Sequence, residues 1–275
     1  MSKFTALEDE SETPLPLMTQ AEKTSESETE AMVAAAVKCF ASGGMVLVAD
    51  DEGRENEGDL IVAAECITEE QVAFMVQHCT GIVCCAMAED ICDRLKLPLM
   101  VENNEEYMGT QFCITVDAGP AMGVTTGAWP YNRPCAQQYV GKYQSCMVIS
   151  GRLIVHAPIG VSAFDRATTI RALADPATVP TDLVRPGHVF PLRYTAGGVI
   201  KRAGHTEASV DLCLLAGLRP AGCICELVKA NDVTGGMARR EDMVSFAKEH
   251  NLPCLSIGQM QRYIQKHGLG PMPLA

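Results

Sequence analysis

Met45-Val46-Leu47-Val48-Ala49 runs into Asp50-Asp51-Glu52-Gly53-Arg54-Glu55-Asn56-Glu57-Gly58-Asp59, and that into Leu60-Ile61-Val62-Ala63-Ala64. The two apolar runs read as short buried strands. The loop between them carries six carboxylates, one guanidinium and two glycines. Gly53 and Gly58 let the backbone turn tightly. Carboxylates this close repel one another, so the loop costs stability unless a cation or an ordered ligand offsets the charge. Such a loop also reads as a solvated acidic hairpin. The functional reading is a site for a hard divalent cation, with Arg54 placed to meet an anion.

Working outward, helices and strands alternate on both sides of this stretch. A helix is expected from Thr29, with Met32, Val33, Ala36, Val37 and Phe40 on one face and Gly43-Gly44 as its stop. Thr68-Glu69-Glu70-Gln71 is a capping box opening a second helix. Strands are expected at 82–87, 112–116, 223–228 and 255–257, and helices at 164–173, 208–215, 239–250 and 259–266. Arg185-Pro186-Gly187-His188 and Ala196-Gly197-Gly198-Val199 read as turns. The interleaving gives an α/β or α+β class with mixed strand pairing.

The bulk numbers narrow the classes of function. A chain of 275 residues with 47% apolar and 20% charged residues buries a sizeable core. Net charge is −12, and the Ser/Thr/Glu-rich tail to Glu30 supplies half of it. Residues 1–28 are expected to be a disordered acidic tail before a domain spanning 29–275. Acidity without basic clusters argues against nucleic acid and anionic membrane as partners. No apolar run approaches the roughly 20 residues of a membrane span. Thirteen cysteines without a Cys-x-x-Cys spacing read as reduced, buried thiols of a cytoplasmic protein.

Three polar groups stand where a core would not want them: the acidic loop, Arg185–His188, and Arg202-Ala203-Gly204-His205-Thr206-Glu207. In the third, Ala203 and Gly204 allow close backbone approach. Thr206 can cap the following helix, whose free N–H groups favour a phosphate, and Arg202 adds an anion contact. A plain helix start with a locally bonded His205 is the alternative. Glu226 ends an apolar strand run and is expected at the strand mouth. His188 is open between a surface turn and a functional role. Cys84 reads as core, with a reactive thiol as the second reading.

Together these pieces resemble the 3,4-dihydroxy-2-butanone 4-phosphate synthase family. The resemblance is carried by residues 50–61, Gly-Val-Thr-Thr-Gly at 123–127, Asp-Arg-Ala-Thr-Thr-Ile-Arg-Ala-Leu at 165–173, Arg-Pro-Gly-His-Val-Phe-Pro-Leu-Arg at 185–193 and Arg-Ala-Gly-His-Thr-Glu-Ala at 202–208. It implies a homodimeric α+β enzyme, a mixed β-sheet core with surrounding helices in a single domain. Such an enzyme converts ribulose 5-phosphate to 3,4-dihydroxy-2-butanone 4-phosphate and formate, in riboflavin biosynthesis, using Mg²⁺. By the same resemblance Glu55 and His205 are the metal ligands, with Arg54, Asp59 and Thr110 as substrate contacts. Arg202, Ala203, Gly204, His205 and Thr206 form the phosphate cradle, and His188 with Glu226 the catalytic pair. Cys84 matches a position whose thiol can be oxidised. The chemistry is consistent: a ketose phosphate is enolised beside a carbonyl that a hard cation polarises, while Glu and His move protons. His205 as a ligand also suits Mn²⁺.

One segment departs from the family pattern, in which 123–127 would run directly into Val-Ser-Ala-x-Asp-Arg. Here 33 residues, Ala128 to Gly160, intervene, with the only Trp, three tyrosines and no acidic residue. The segment is read as a surface insertion or as an intron retained in the coding sequence. Its length fits an unbroken reading frame, and its boundary residues admit splice-site codons. Two other readings stay beside the lyase: an impaired dimeric member serving as a binding module because of this insert, and part of a bifunctional enzyme with a cyclohydrolase domain. The second is disfavoured by the lack of a cysteine-rich zinc motif after Glu226.

Overall fold

A computed structural model describes residues 25–124 and 160–271 and, between them, the strand segments 129–130, 146–149 and 152–155. The tail before residue 25 and most of the 128–160 segment lie outside the described residues.

The apolar runs flanking the acidic loop form β1 (Val46–Ala49) and β2 (Gly58–Ala63), antiparallel with Leu47 opposite Leu60. Every residue of both strands is buried, as expected for a sheet covered on both faces. With β3 (Cys84–Met87), β4 (Val116–Ala118), β8 (Leu183–Arg193), β9 (Ala221–Glu226) and β10 (Cys254–Ser256) they build a seven-stranded sheet in the order β10-β1-β2-β9-β3-β8-β4. The β10–β1 and β3–β8 pairs are parallel and the other four antiparallel, so the sheet is mixed. Strands β5 (Trp129–Pro130), β6 (Cys146–Ile149) and β7 (Arg152–Val155), from the 128–160 segment, form a separate antiparallel sheet.

Among the described residues, eight α-helices accompany the sheet: α1 (Glu26–Ala41), α2 (Glu69–His78), α3 (Glu89–Arg94), α4 (Ala163–Ala174), α5 (Gly198–Lys201), α6 (His205–Leu215), α7 (Arg240–His250) and α8 (Ile257–His267). Helix α6 is buried nearly all round and crosses β1, β2, β9 and β3. Its apolar residues Ala208, Val210, Leu212, Cys213 and Leu215 pack into the core, while His205, Thr206, Glu207, Ser209 and Asp211 are buried polar groups on the same helix. The Thr68–Gln71 capping box opens α2 as its sequence requires.

Several local expectations are corrected. Helix α1 begins three residues before Thr29, because Ser25 and Glu28 close a capping box inside the supposed tail. Arg185–His188 is not a turn but part of β8. Gly187 lies so close to β4 that a Cβ there would fall 2.0 Å from the Val116 carbonyl carbon, which only glycine permits. The strand expected at 112–116 starts only at Val116; Phe112 and Cys113 make isolated bridges to Leu192 and Leu99. The described cysteines are free thiols, and most are buried.

Candidate active site

The acidic loop is organised from within by Asp50. Its fully buried carboxylate accepts the N–H groups of Glu55 at 3.0 Å and Glu57 at 2.9 Å, and the Arg54 guanidinium at 2.9 Å. Arg54 also pairs with the Glu55 carboxylate. These bonds offset part of the repulsion inside the loop. They aim Glu55 at His205, the first residue of α6. Asp50, Glu55 and His205 each place a ligand atom within 4.8 Å of the others.

Asp59 and Glu226 face each other as a registered pair on β2 and β9. Asp59 is 2% exposed, and its Oδ1 stands 3.6 Å from His205 Nδ1. Burial, and next the Glu226 charge, push the Asp59 carboxyl well above its ordinary range. Burial likewise lifts Glu55 and Glu57. Burial pushes His205 down to about 4, so the ring is neutral and offers a lone pair at ordinary pH. Nε2 of His205 and Oδ1 of Asp59 are buried with no hydrogen-bond partner among the described residues. Buried polar atoms are seldom left so, and here they edge a cleft of about 180 Å³. Carboxylates with one neutral imidazole suit Mg²⁺ or Mn²⁺.

On the other wall of the cleft lie Arg202, Thr206, Thr110 and Glu106. Gly204 is the N-cap of α6, so Thr206 stands inside the first turn and does not cap it, contrary to the sequence expectation. His205 and Thr206 line the cleft from the first turn of α6, whose N–H groups no helical carbonyl can serve. Arg202 Nη1 donates to the buried Glu207 at 2.6 Å, and Nη2 donates to Thr110 Oγ1 at 2.8 Å. Glu106 accepts the N–H groups of Met108 and Thr110 at 2.8 and 2.6 Å, which folds the 104–110 loop against Arg202.

Glu226, half-buried at the end of β9, accepts from Thr80 Oγ1 at 2.5 Å. Cys84 lines the cleft, but burial pushes its thiol well above the ordinary value, which disfavours the reactive thiolate. The cleft thus gathers Arg54, Glu55, Asp59, Thr110, Arg202, His205, Thr206 and Glu226, with Ala203 and Gly204 in the turn that carries them. His188 is not among its lining residues. Its Nδ1 lies 2.7 Å from Asp117 Oδ2, and its N–H donates to Asp117 Oδ1 at 2.9 Å. Cys84 pairs with Ile224 on one side and Phe190 on the other, so His188 and Glu226 stand level across β3. Two strand spacings separate their backbones, about 10 Å.

Asp50, Glu57, Asp117 and Glu207, with Glu106, are site residues that the sequence did not single out. Asp50 belongs to the acidic run, and only its burial marks it as the organiser. Glu57 lines the cleft from the same run. Asp117 was visible as a lone acid in the apolar run Val116-Asp117-Ala118. Glu207 stood inside the Arg202–Ala208 motif, but its bond to Arg202 needed the helix start to be placed.

Fold and cleft together define an α+β protein whose mixed sheet carries a cation-type cluster beside an anion-type cradle. A family model described as 3,4-dihydroxy-2-butanone 4-phosphate synthase matches residues 34–144 and 147–263, and the chain belongs to that family. The 3,4-dihydroxy-2-butanone 4-phosphate synthase of Aeromonas salmonicida is 45% identical over 86% of this chain and 91% of its own length. The bifunctional riboflavin biosynthesis protein RIBA 1, chloroplastic, of Arabidopsis thaliana is 47% identical over 84% of this chain. The chain spans only 36% of that longer plant protein. A crystal structure of 3,4-dihydroxy-2-butanone 4-phosphate synthase in complex with two magnesium ions superposes with a TM-score of 0.69 at 37% identity, covering 86% of this chain and 98% of that one.

Proposed function

We propose that this chain is a lyase that converts D-ribulose 5-phosphate to 3,4-dihydroxy-2-butanone 4-phosphate and formate, with Mg²⁺ or Mn²⁺, in riboflavin biosynthesis. The observation that carries the reading is the meeting, in one cleft, of the Asp50–Glu55–His205 cluster with the Arg202–Thr206 cradle. A divalent cation held by Glu55 and His205, with Asp50 beside them, supplies Lewis-acid polarisation of the ketose carbonyl. The remaining work falls to side chains. Arg202, kept in place by Glu207, and the first N–H groups of α6 receive the phosphate. Asp59, held toward its neutral form by burial, can donate a hydrogen bond to a substrate hydroxyl. Glu226 and His188 are the proton carriers, the first oriented by Thr80 and the second by Asp117. The protein acts as a homodimer on a sugar phosphate. The reading as a cytoplasmic enzyme rests on composition; among the described residues no helix is long and apolar enough to cross a membrane.

Formate release from ribulose 5-phosphate tests the proposal. Release is expected with Mg²⁺ and not with chelator. In Glu226→Gln it should drop about a hundredfold or more, the usual worth of a general acid–base group. Release that ignores the chelator, or none with Mg²⁺ present, overturns it.

A further inference from the structure

The loop that carries Asp50 and Glu55 is held from outside as well as from within. Arg239 lies 183 residues further along the chain than Asn56, just before α7. Its Nη1 donates to the backbone carbonyls of Glu55 at 3.0 Å and Asn56 at 2.5 Å. Asn56 sits in the left-handed region at φ 54°, so the chain reverses there and both carbonyls turn outward toward one donor. The base of the arginine is anchored. Ala238, fully buried, donates its N–H to Leu227 O at 3.0 Å, and the Arg239 N–H donates to the Asp242 carboxylate at 3.0 Å. Leu227 in turn donates to Gly58 O at 2.8 Å, which ties this anchor to the first residue of β2.

We propose that Arg239 is a positioning residue for the cation site: it fixes the Glu55–Asn56 backbone so that the Glu55 carboxylate faces Asp50 and His205. This rests on the cation reading of the cluster given above. Arg239 does not line the cleft, so it acts through Glu55 and not on a bound ion or substrate.

Charge and geometry make opposite demands on the test. Arg239 is a cation close to a cation site, so its charge alone opposes metal binding, and removing it should tighten binding. A clamp has the reverse sign, because losing it lets Glu55 wander. Outer contacts that orient a metal ligand are typically worth about 10–100-fold in affinity. The full chain is titrated with Mn²⁺, and free ion is followed by electron paramagnetic resonance. Glu55→Gln, Arg239→Gln, Arg239→Lys and Arg240→Gln are compared, the last removing a charge that pairs with Glu52 at 3.5 Å. Arg239→Gln is expected to weaken Mn²⁺ binding about tenfold or more, with an unchanged melting temperature, since the side chain is exposed. Arg239→Lys keeps the charge but not the forked donor, and should fall between wild type and Arg239→Gln. Arg240→Gln should bind as well as wild type or better. Equal or tighter binding by Arg239→Gln, or equal weakening by Arg239→Gln and Arg240→Gln, overturns the clamp. If the wild type binds no Mn²⁺, or Glu55→Gln binds it equally well, the cation reading itself fails, and the inference with it.

Discussion

Asp211 shows how burial and function meet at a single residue. It lies on α6, one turn beyond Glu207, and its two carboxylate oxygens accept Tyr194 O–H at 2.9 Å and Val199 N–H at 2.8 Å. These bonds fold the 194–199 segment against the helix that presents His205. Burial is the largest influence on the carboxyl and lifts it from 3.8 to about 6. A raised acid binds a proton in the fold that the unfolded chain has released. Its contribution is therefore most favourable below about pH 4, weakens as pH rises to about 6 and is constant above. Between pH 4.5 and 7 the wild type is expected to lose about 2 kcal/mol through this group, a slope that Asp211→Asn should lack in denaturant titrations. Equal slopes for the two proteins would contradict the assignment. Charged residues of this kind were partly legible beforehand. The acidic loop with Arg54, and Arg202 and Glu226, could be singled out because charges crowding apolar strand and helix ends demand partners, whereas Glu55, Asp59 and His205 took their individual roles from the family resemblance. Asp117 could not be given a role, since a role defined by a partner 71 residues away, as His188 is, has no local signature, and the bond of Glu207 to Arg202, five residues earlier, depends on where α6 starts.

At the scale of elements, β8 carries the largest misreading. Pro186-Gly187 is a strong local turn signal, yet the strand continues through both residues. What decides the matter is tertiary: the backbone of β4 passes where a side chain would have to be. A methyl at Gly187 would fall 2.0 Å from the Val116 carbonyl carbon and 2.2 Å from the Asp117 nitrogen. Neither backbone atom can move without parting the strands. Gly187→Ala should cost about 3 kcal/mol. Gly58→Ala makes the comparison. Its new methyl meets the Met243 sulfur at 2.3 Å, the soft end of a flexible side chain, and about 1 kcal/mol is expected. Chemical denaturation of both variants checks the order, and a larger loss at Gly58 would refute it. Elements with complete local signals were read correctly, as with the capping box of α2. The α1 start was missed although Ser25 and Glu28 spell such a box, because the surrounding acidic, Ser-rich composition read as disorder.

At the scale of the whole molecule, the 128–160 segment reads from the sequence as an insert, yet the family model's matches cover all of it except residues 145 and 146. Its described strands pair among themselves and add nothing to the seven-stranded sheet. Its last residue, Gly160, has φ 63° and packs so tightly on Asp117 that a Cβ would come 2.4 Å from Oδ2. The segment therefore re-enters the fold against the carboxylate that orients His188. Closing a loop of 33 residues costs about 3 kcal/mol by polymer statistics, which a core of this size tolerates. Joining Gly127 to Val161 is expected to leave the main thermal transition in place and to raise the rate of formate release. A deleted chain that folds but releases formate more slowly would show the segment to be part of the working site.

The mixed sheet, the cation cluster and the phosphate cradle all bear on one claim, that this cleft expels a carbon from a ketose phosphate. Ribulose 5-phosphate labelled with ¹³C at C4 tests it most directly, with Mg²⁺ present and the products followed by ¹³C NMR. The account requires the label to leave as formate. Label retained in a four-carbon product, or no formate at all, would contradict it.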